Sequence, residues 1–260
     1  MGPSPAKLWP QIAPEWILAL PEWLEDLFFN IYKCFIYDER YVYYIRGLGN
    51  TLLLTLMALL MGIVLGVIVA MVRSTWDKNG HALRGIAKTL LSIANRICNI
   101  YLTVIRGTPV LVQLMIWYFV VFASSRNGVM VAAFAFGINS GAYVAEIIRG
   151  GIMAVDAGQM EAGRSLGFGY VATMRHIILP QAFKAVLPAF ANEFIVLLKE
   201  TSVAAFVGVA DLTYAGNVVG GVSYEYLFPL LLTAAMYLVM VIFFTHLVNK
   251  LERRLRNSER

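Results

Sequence analysis

Charge is scarce in this sequence. Asp, Glu, Lys and Arg make up 14% of 260 residues, where a soluble domain carries roughly a quarter, and the polar helix faces that a soluble α/β enzyme needs are mostly missing. Cysteine is limited to Cys34 and Cys98, too far apart for a paired-thiolate zinc or redox motif. The three histidines, His81, His176 and His246, form no H-E-x-x-H pattern. Ser140-Gly141 is a small-residue packing pair rather than part of a G-x-S-x-G elbow, so an intramembrane enzyme is disfavoured. No G-x-x-x-x-G-K-[ST] sequence is present, and any nucleotide must be bound by another polypeptide. The opening residues hold no signal-peptide core with a small-residue cleavage site, so the first true span is expected to serve as an uncleaved signal anchor. The net charge of +5 is spread over loops and the C-terminal tail, not gathered in a groove-sized cluster, which argues against a nucleic-acid partner.

What is abundant is hydrophobic residues, at 59%, enough for about five or six helices at around 20 residues per span. The expectation is an all-α membrane protein. Residues 1–46 mix tryptophans, leucines and prolines with acids and contain no uncharged run of spanning length. They read as an amphipathic interfacial segment anchored by Trp9, Trp16 and Trp23. Gly47 to Val72 carries no charge and is the first span. Ala58, Gly62, Gly66 and Ala70 recur along it every four residues, a stripe that allows close packing within the chain. Leu83 to Ile105 is interrupted by Asn95, Arg96 and Asn99 and reads as a helix along or rising from the inner interface. A break at Arg106-Gly107-Thr108-Pro109 then turns the chain into the second span, Gly107 to Ser125. The third, about Val129 to Ala145, ends near Glu146 and Arg149, one turn apart and expected to pair.

A fourth span is expected from Pro188 to Ala210, with Glu193, Lys199 and Glu200 along it. Charges at membrane depth cost roughly 2.5–3.5 kcal/mol each, so they should face the bundle interior or an aqueous path. Asp211 to Glu225 has acids, no base, and Gly216, Gly220 and Gly221, which reads as a flexible outside loop. Tyr226 to Asn249 is the fifth span, and Lys250, Arg253, Arg254, Arg256 and Arg260 hold the tail inside. This divides the chain into a segment at 1–46, a membrane domain at 47–250 and a basic tail at 251–260, with the N-terminus outside and the C-terminus cytoplasmic.

The polar island at 156–188 reads as a cytoplasmic loop holding one short helix. Asp156 with Gln159 forms an N-cap and capping-box pair, and Gly167 suits a left-handed helix end. A helix of about ten residues is too short to be stable alone, and small Ala162 and Gly163 beside Glu161 let a partner approach closely.

The order Glu161-Ala162-Gly163, then Gly167, then Ile177-x-Leu179-Pro180 resembles the cytoplasmic EAA loop of the membrane subunits of binding-protein-dependent ABC importers. It departs from the family only at Gly163, where a second alanine is usual. Tyr101 to Leu114, Ala142 to Ile152 and Asn192 to Ser202 resemble the polar amino-acid branch of those permeases, and the match runs from about Gly47 to the C-terminus. The resemblance implies a type I importer fold of five core helices in a bacterial inner or plasma membrane. It further implies two permease copies, identical or homologous, an ATPase dimer that binds ATP and Mg below them, and an extracellular binding protein above. Gly158, Gln159, Glu161, Ala162, Gly163, Gly167, Leu179 and Pro180 then form the ATPase-coupling site of a translocation subunit, not an enzyme, that binds no cofactor itself.

For a polar or basic amino acid of the arginine, lysine, histidine or glutamine class, the pathway is expected along Gln113, Asn139, Glu193, Lys199, Thr201 and Ser202. Glu193 suits an ammonium group, and the donors suit a carboxylate. The rival reading is an ion-coupled secondary amino-acid transporter, which the polar residues at depth fit equally well but which has no use for a coupling loop.

Overall fold

The computed structural model describes residues 4–80 and 83–257; His81, Arg260 and the side chain of Arg256 lie outside the described residues. The helices run α1 (Pro5–Ile12), α2 (Glu15–Leu18), α3 (Glu22–Ile31), α4 (Tyr41–Asn79), α5 (Gly85–Gly107), α6 (Val110–Ile116), α7 (Gly128–Ala154), α8 (Ala157–Ser165), α9 (Tyr170–Thr173), α10 (Leu179–Glu200), α11 (Leu212–Ser223) and α12 (Leu227–Asn257). No strand occurs among the described residues. Among the described residues four segments are long and apolar enough to cross a membrane: Tyr41–Lys78, Gly128–Ala154, Tyr170–Val207 and Leu227–Arg254. A fifth is present when α5 and the segment Val110–Val121, bent by 110° against it, are counted as one. The five expected spans fit this upper count. Two compact units divide the described residues, one built from those up to Leu52 with Ser202–Met240, the other from Leu53–Thr201 with those from Val241 onward.

In the first unit Trp9 is buried, not an interfacial anchor as the sequence suggested. Its ring meets Phe29 at 5.5 Å and Tyr32 at 5.4 Å, and its indole N–H donates to Glu25 Oε1 at 3.2 Å. An indole is most stable in a core when its one donor is satisfied, and Glu25 supplies that acceptor. Trp16 and Trp23 are exposed. Asp38 and Glu39 then adopt left-handed φ of 57° and 54°, turning the chain into α4. At 39 residues, α4 spans roughly 58 Å at 1.5 Å per residue; it starts before and ends beyond the uncharged run that the sequence marks.

The expected flexible loop at 211–225 is instead the 12-residue helix α11. Its glycines are packing positions: a Cβ on Gly220 would sit 2.6 Å from the Tyr226 ring, and one on Gly216 would overlap the Thr233 hydroxyl. Asp211 caps the helix, accepting from Tyr214 N at 2.8 Å, and its other oxygen accepts from Tyr237 Oη at 3.3 Å. Beside it, Leu212 N donates to Thr51 Oγ1 at 3.0 Å and Asn50 Nδ2 to Ala210 O at 2.7 Å. Glycine spacing in sequence does not separate a hinge from a close approach; here the neighbouring helix decides.

Burial pushes the Asp211 carboxyl up to about 6, against the lowering effect of its hydrogen bonds. The folded state therefore binds more protons than the unfolded chain between the ordinary aspartate value and about 6, and stability falls as pH rises through that window. Lowering the pH from about 7 to about 5 is expected to stabilise the reconstituted protein by about 1 kcal/mol. Thermal unfolding of wild type and Asp211→Asn checks this; an undiminished pH response in the variant assigns the effect to another group.

In the second unit the small-residue stripe of α4 lies on α7. A Cβ on Gly62 would meet Ser140 Oγ at 2.8 Å, and one on Gly66 would meet Val144 Cγ1 at 2.5 Å and the Ala145 backbone nitrogen at 2.9 Å. Only glycine lets the two backbones come this close. Its opposite side, with Leu56, Leu60, Val64 and Ile68, is exposed and apolar, as a lipid-facing surface must be. The helix α5 packs against α4 and α7: Leu102 packs with Val69, Ala142 and Ala145, and Tyr101 Oη donates to Ile138 O at 2.6 Å.

The expected Glu146–Arg149 pair is present at 3.2 Å. It belongs to a larger cluster, because Arg73 lies 3.7 Å from Glu146 and Asp77 3.9 Å from Arg149. The fourth span begins well before Pro188. Pro188 lies inside α10, and the spanning segment starts at Tyr170; Leu179 and Pro180 form the first turn of α10. Proline is tolerated in a membrane helix where neighbours satisfy the freed backbone, which is why the residue misled as a boundary signal.

Candidate functional site

Two groups of residues are candidates for the functional site: a short exposed helix between α7 and α9, and a set of polar side chains on the long apolar helices. The short helix, α8, is fixed at both ends by its own sequence. Asp156 Oδ1 accepts from Gly158 N at 2.6 Å. At the other end Phe168 N donates to Gly163 O and Gly167 N to Arg164 O, each at 3.0 Å, with Gly167 at φ 83°. That pair of bonds with a left-handed glycine is a Schellman end. The expected capping box is only half formed, because the Gln159 side chain accepts from Gln181 Nε2 at 3.4 Å and so ties α8 to the start of α10.

One face of α8 is held by the protein. Gly163 is buried, and a Cβ there would lie 2.6 Å from Thr173 Cγ2; Met160 packs on the cluster of Ile152, Ile178 and Ala182. The other face presents Gln159, Glu161, Ala162 and Arg164 to the outside. Gly163 thus serves the helix's attachment to its own chain, while Glu161 and Ala162 are free to meet a partner. Leu179 and Pro180 are exposed close to the same end of α10. Leu166, Phe168 and Val171 are exposed large apolar residues around the Gly167 turn that the sequence reading passed over. Their signal was available: apolar residues flanking a helix-ending glycine inside a polar island have no core of their own to fill.

At depth, the structure joins two of the expected pathway residues to each other. Gln113 Nε2 donates to Ile105 O at 2.8 Å, Thr108 O at 3.1 Å and Thr108 Oγ1 at 2.8 Å, and Gln113 Oε1 accepts from Asn139 Nδ2 at 3.1 Å. Backbone groups released at the bend between α5 and α6 need partners from outside their own helix, and Gln113 supplies them from five and eight residues further on. Next to Asn139 on α7, Ser140 Oγ donates to Glu193 Oε1 at 2.9 Å, so Ser140 is more than the packing residue its sequence context implied. Glu193 is buried on α10, whereas Lys199 is exposed and is not brought to it. Thr201 is buried, donating to Leu198 O at 3.1 Å and lying 3.4 Å from Thr55 Oγ1; Ser202 is half-buried. Two consecutive α7 residues therefore connect the bend to the carboxylate of α10. A groove of about 290 Å³ between the C-terminal part of α7 and the N-terminal half of α10 is lined by Glu146 and otherwise by apolar residues such as Gly151, Ala154 and Val186.

Membrane-crossing helices, a capped helix projecting from them, and polar side chains paired at depth define a membrane transport component rather than an enzyme. Residues 85–257 match the family described as binding-protein-dependent transport system inner membrane component, and the chain belongs to that family. The arginine transport system permease protein of Bacillus subtilis (strain 168) is 39% identical over 166 residues, 63% of this chain and 76% of that protein. The glutamine transport system permease protein of Escherichia coli (strain K12) is 37% identical over 179 residues, 67% of this chain and 82% of that protein. Among solved structures, a crystal structure of an amino acid ABC transporter with histidines superposes with a TM-score of 0.72 at 41% identity, covering 82% of this chain and 94% of that one. The inward-facing MetNI methionine ABC transporter, at 20% identity and a TM-score of 0.69 over 84% and 98% of the two chains, shares the fold. The type I importer permease fold is thereby shown, and the ion-coupled alternative finds no support in these relatives.

Proposed function

We propose that this chain is the membrane-spanning permease of an ATP-driven importer that carries a polar or basic L-amino acid delivered by an extracellular binding protein. The observation that carries the reading is α8: a helix capped at both ends and held from behind by Gly163 and Met160, yet with Glu161 and Ala162 uncovered. A short helix kept rigid and left exposed is a contact for another protein, and α8 with Leu166, Phe168 and Val171 suits the groove of an ATPase subunit. The relatives named for arginine and glutamine transport support the substrate class.

In this reading an ATPase dimer holds ATP and Mg, and its closure moves α8 and rocks the spans around a site near the midplane. Gly158, Gln159, Glu161, Ala162, Gly163 and Gly167 form the coupling helix, with Leu179 and Pro180 at the start of α10 beside it. Glu193, steadied by Ser140, takes the ammonium group, with Thr201, Ser202 and Lys199 on the same span downstream. Gln113 and Asn139 shape the pathway by holding the bend. A second permease copy, the same chain or a homologue, completes the pore. The amino-terminal segment lies outside and the basic end of α12 in the cytoplasm, following the excess of Lys and Arg.

The test is co-expression with the ATPase encoded beside it, followed by ATP hydrolysis in nanodiscs with binding protein and a panel of amino acids. Stable co-purification and activity raised by one polar or basic amino acid are expected. Failure to bind an ATPase, with uptake driven by an ion gradient, overturns the reading.

A further inference from the structure

The helices that precede the first span divide into three faces. Glu25 and Phe29 of α3 turn toward Trp9. Glu22, Asp26 and Asn30 recur every four residues as a polar stripe. Trp23, Leu27 and Ile31, 68%, 38% and 43% exposed, recur with the same spacing beside it as an apolar stripe. Phe28, on the far edge of that apolar stripe, meets the ring of exposed Trp16 edge-on at 5.9 Å, which carries the apolar surface onto α2. Beyond α3, Ile36 is exposed, as are Tyr43 and Ile45 in the first turns of α4, a helix long and apolar enough to cross the membrane.

We propose that α2 and α3 lie flat in the membrane interface at the amino-terminal end of α4, with Trp16, Trp23, Leu27 and Ile31 in the headgroup–acyl boundary and Glu22 and Asp26 in water. The occupant of the apolar face is lipid, because the surface is continuous with the start of a spanning helix and therefore begins at the bilayer's edge. The segment is too charged to cross, and tryptophan is the residue of membrane–water boundaries. The polar stripe is acidic, so apolar burial rather than attraction to anionic headgroups holds the segment down, and neither salt nor anionic lipid should change its depth. The segment then fixes the height and tilt of the first span, independently of which solute is carried.

The full-length protein in nanodiscs tests this in two ways. A spin label at Leu27→Cys is expected to show an oxygen-to-nickel-chelate accessibility ratio at least about fivefold above that of a label at Asp26→Cys, the same in zwitterionic and anionic lipid. Lipids brominated in their acyl chains should quench a component of the tryptophan fluorescence that is absent in Trp23→Phe, a measurement that leaves the cysteines untouched. Equal accessibility at the two positions with no quenched Trp23 component overturns the proposal. So does a Leu27 label that becomes shielded only when soluble binding protein is added, which would make the face a protein-docking surface.

Discussion

Glu161→Lys is expected to abolish substrate-stimulated ATP hydrolysis while the chain still folds and inserts. Glu161 is exposed and, among the described residues, pairs with nothing that holds α8 in place; the caps at Asp156 and Gly167 and the packing of Met160 and Gly163 all lie elsewhere on the helix. The change therefore falls on the partner's side. Reversing a charge in an interface costs several kcal/mol, and each 1.4 kcal/mol is tenfold in affinity, so a loss of about a hundredfold or more in coupled activity is expected. Circular dichroism and gel filtration of the purified variant separate this from misfolding. Normal stimulation in the Lys variant would show that α8 is not where the ATPase docks.

The second large effect is expected at Gln113→Leu. That side chain occupies the carbonyls of Ile105 and Thr108 and the amide of Asn139, and a leucine can replace none of these bonds. Each polar group left without a partner costs about 1–3 kcal/mol, so thermal unfolding in nanodiscs should show a loss of roughly 2–5 kcal/mol. Replacing Asn139 with Leu in addition should return part of it, because one orphaned group is then removed. A variant as stable as wild type would mean that Thr108 and Pro109 hold the bend without help.

The features legible in the sequence were those written in local chemistry. Asp156 and Gly167 mark the ends of α8, Arg106 to Pro109 mark a break, and Ala58, Gly62, Gly66 and Ala70 mark a packing face; each depends on residues within one or two turns. Trp9 was misjudged because its burial depends on Phe29, Tyr32 and Glu25, twenty or so positions away in the chain. Gly216 and Gly220 signalled flexibility for the same reason, since Thr233 and Tyr226 decide what they do. At the site, the sequence picked out Gln113, Asn139 and Glu193 as polar residues too deep to be idle. It could not say that Gln113 would be taken up by backbone carbonyls, because that follows from the 110° bend itself.

The bend also bears on how the protein enters its membrane. The seven residues of α6 and the five of the helical turn after it reach only about 18 Å, well short of a hydrocarbon layer about 30 Å thick. Hydrophobic mismatch of that size leaves the segment no stable resting depth among lipids alone. The bend at its N-terminal end is closed by Gln113, and Gln113 is held by Asn139 on α7. A chain that emerges in order gains the partner of Gln113 only once α7 follows, so the later helix completes the earlier one.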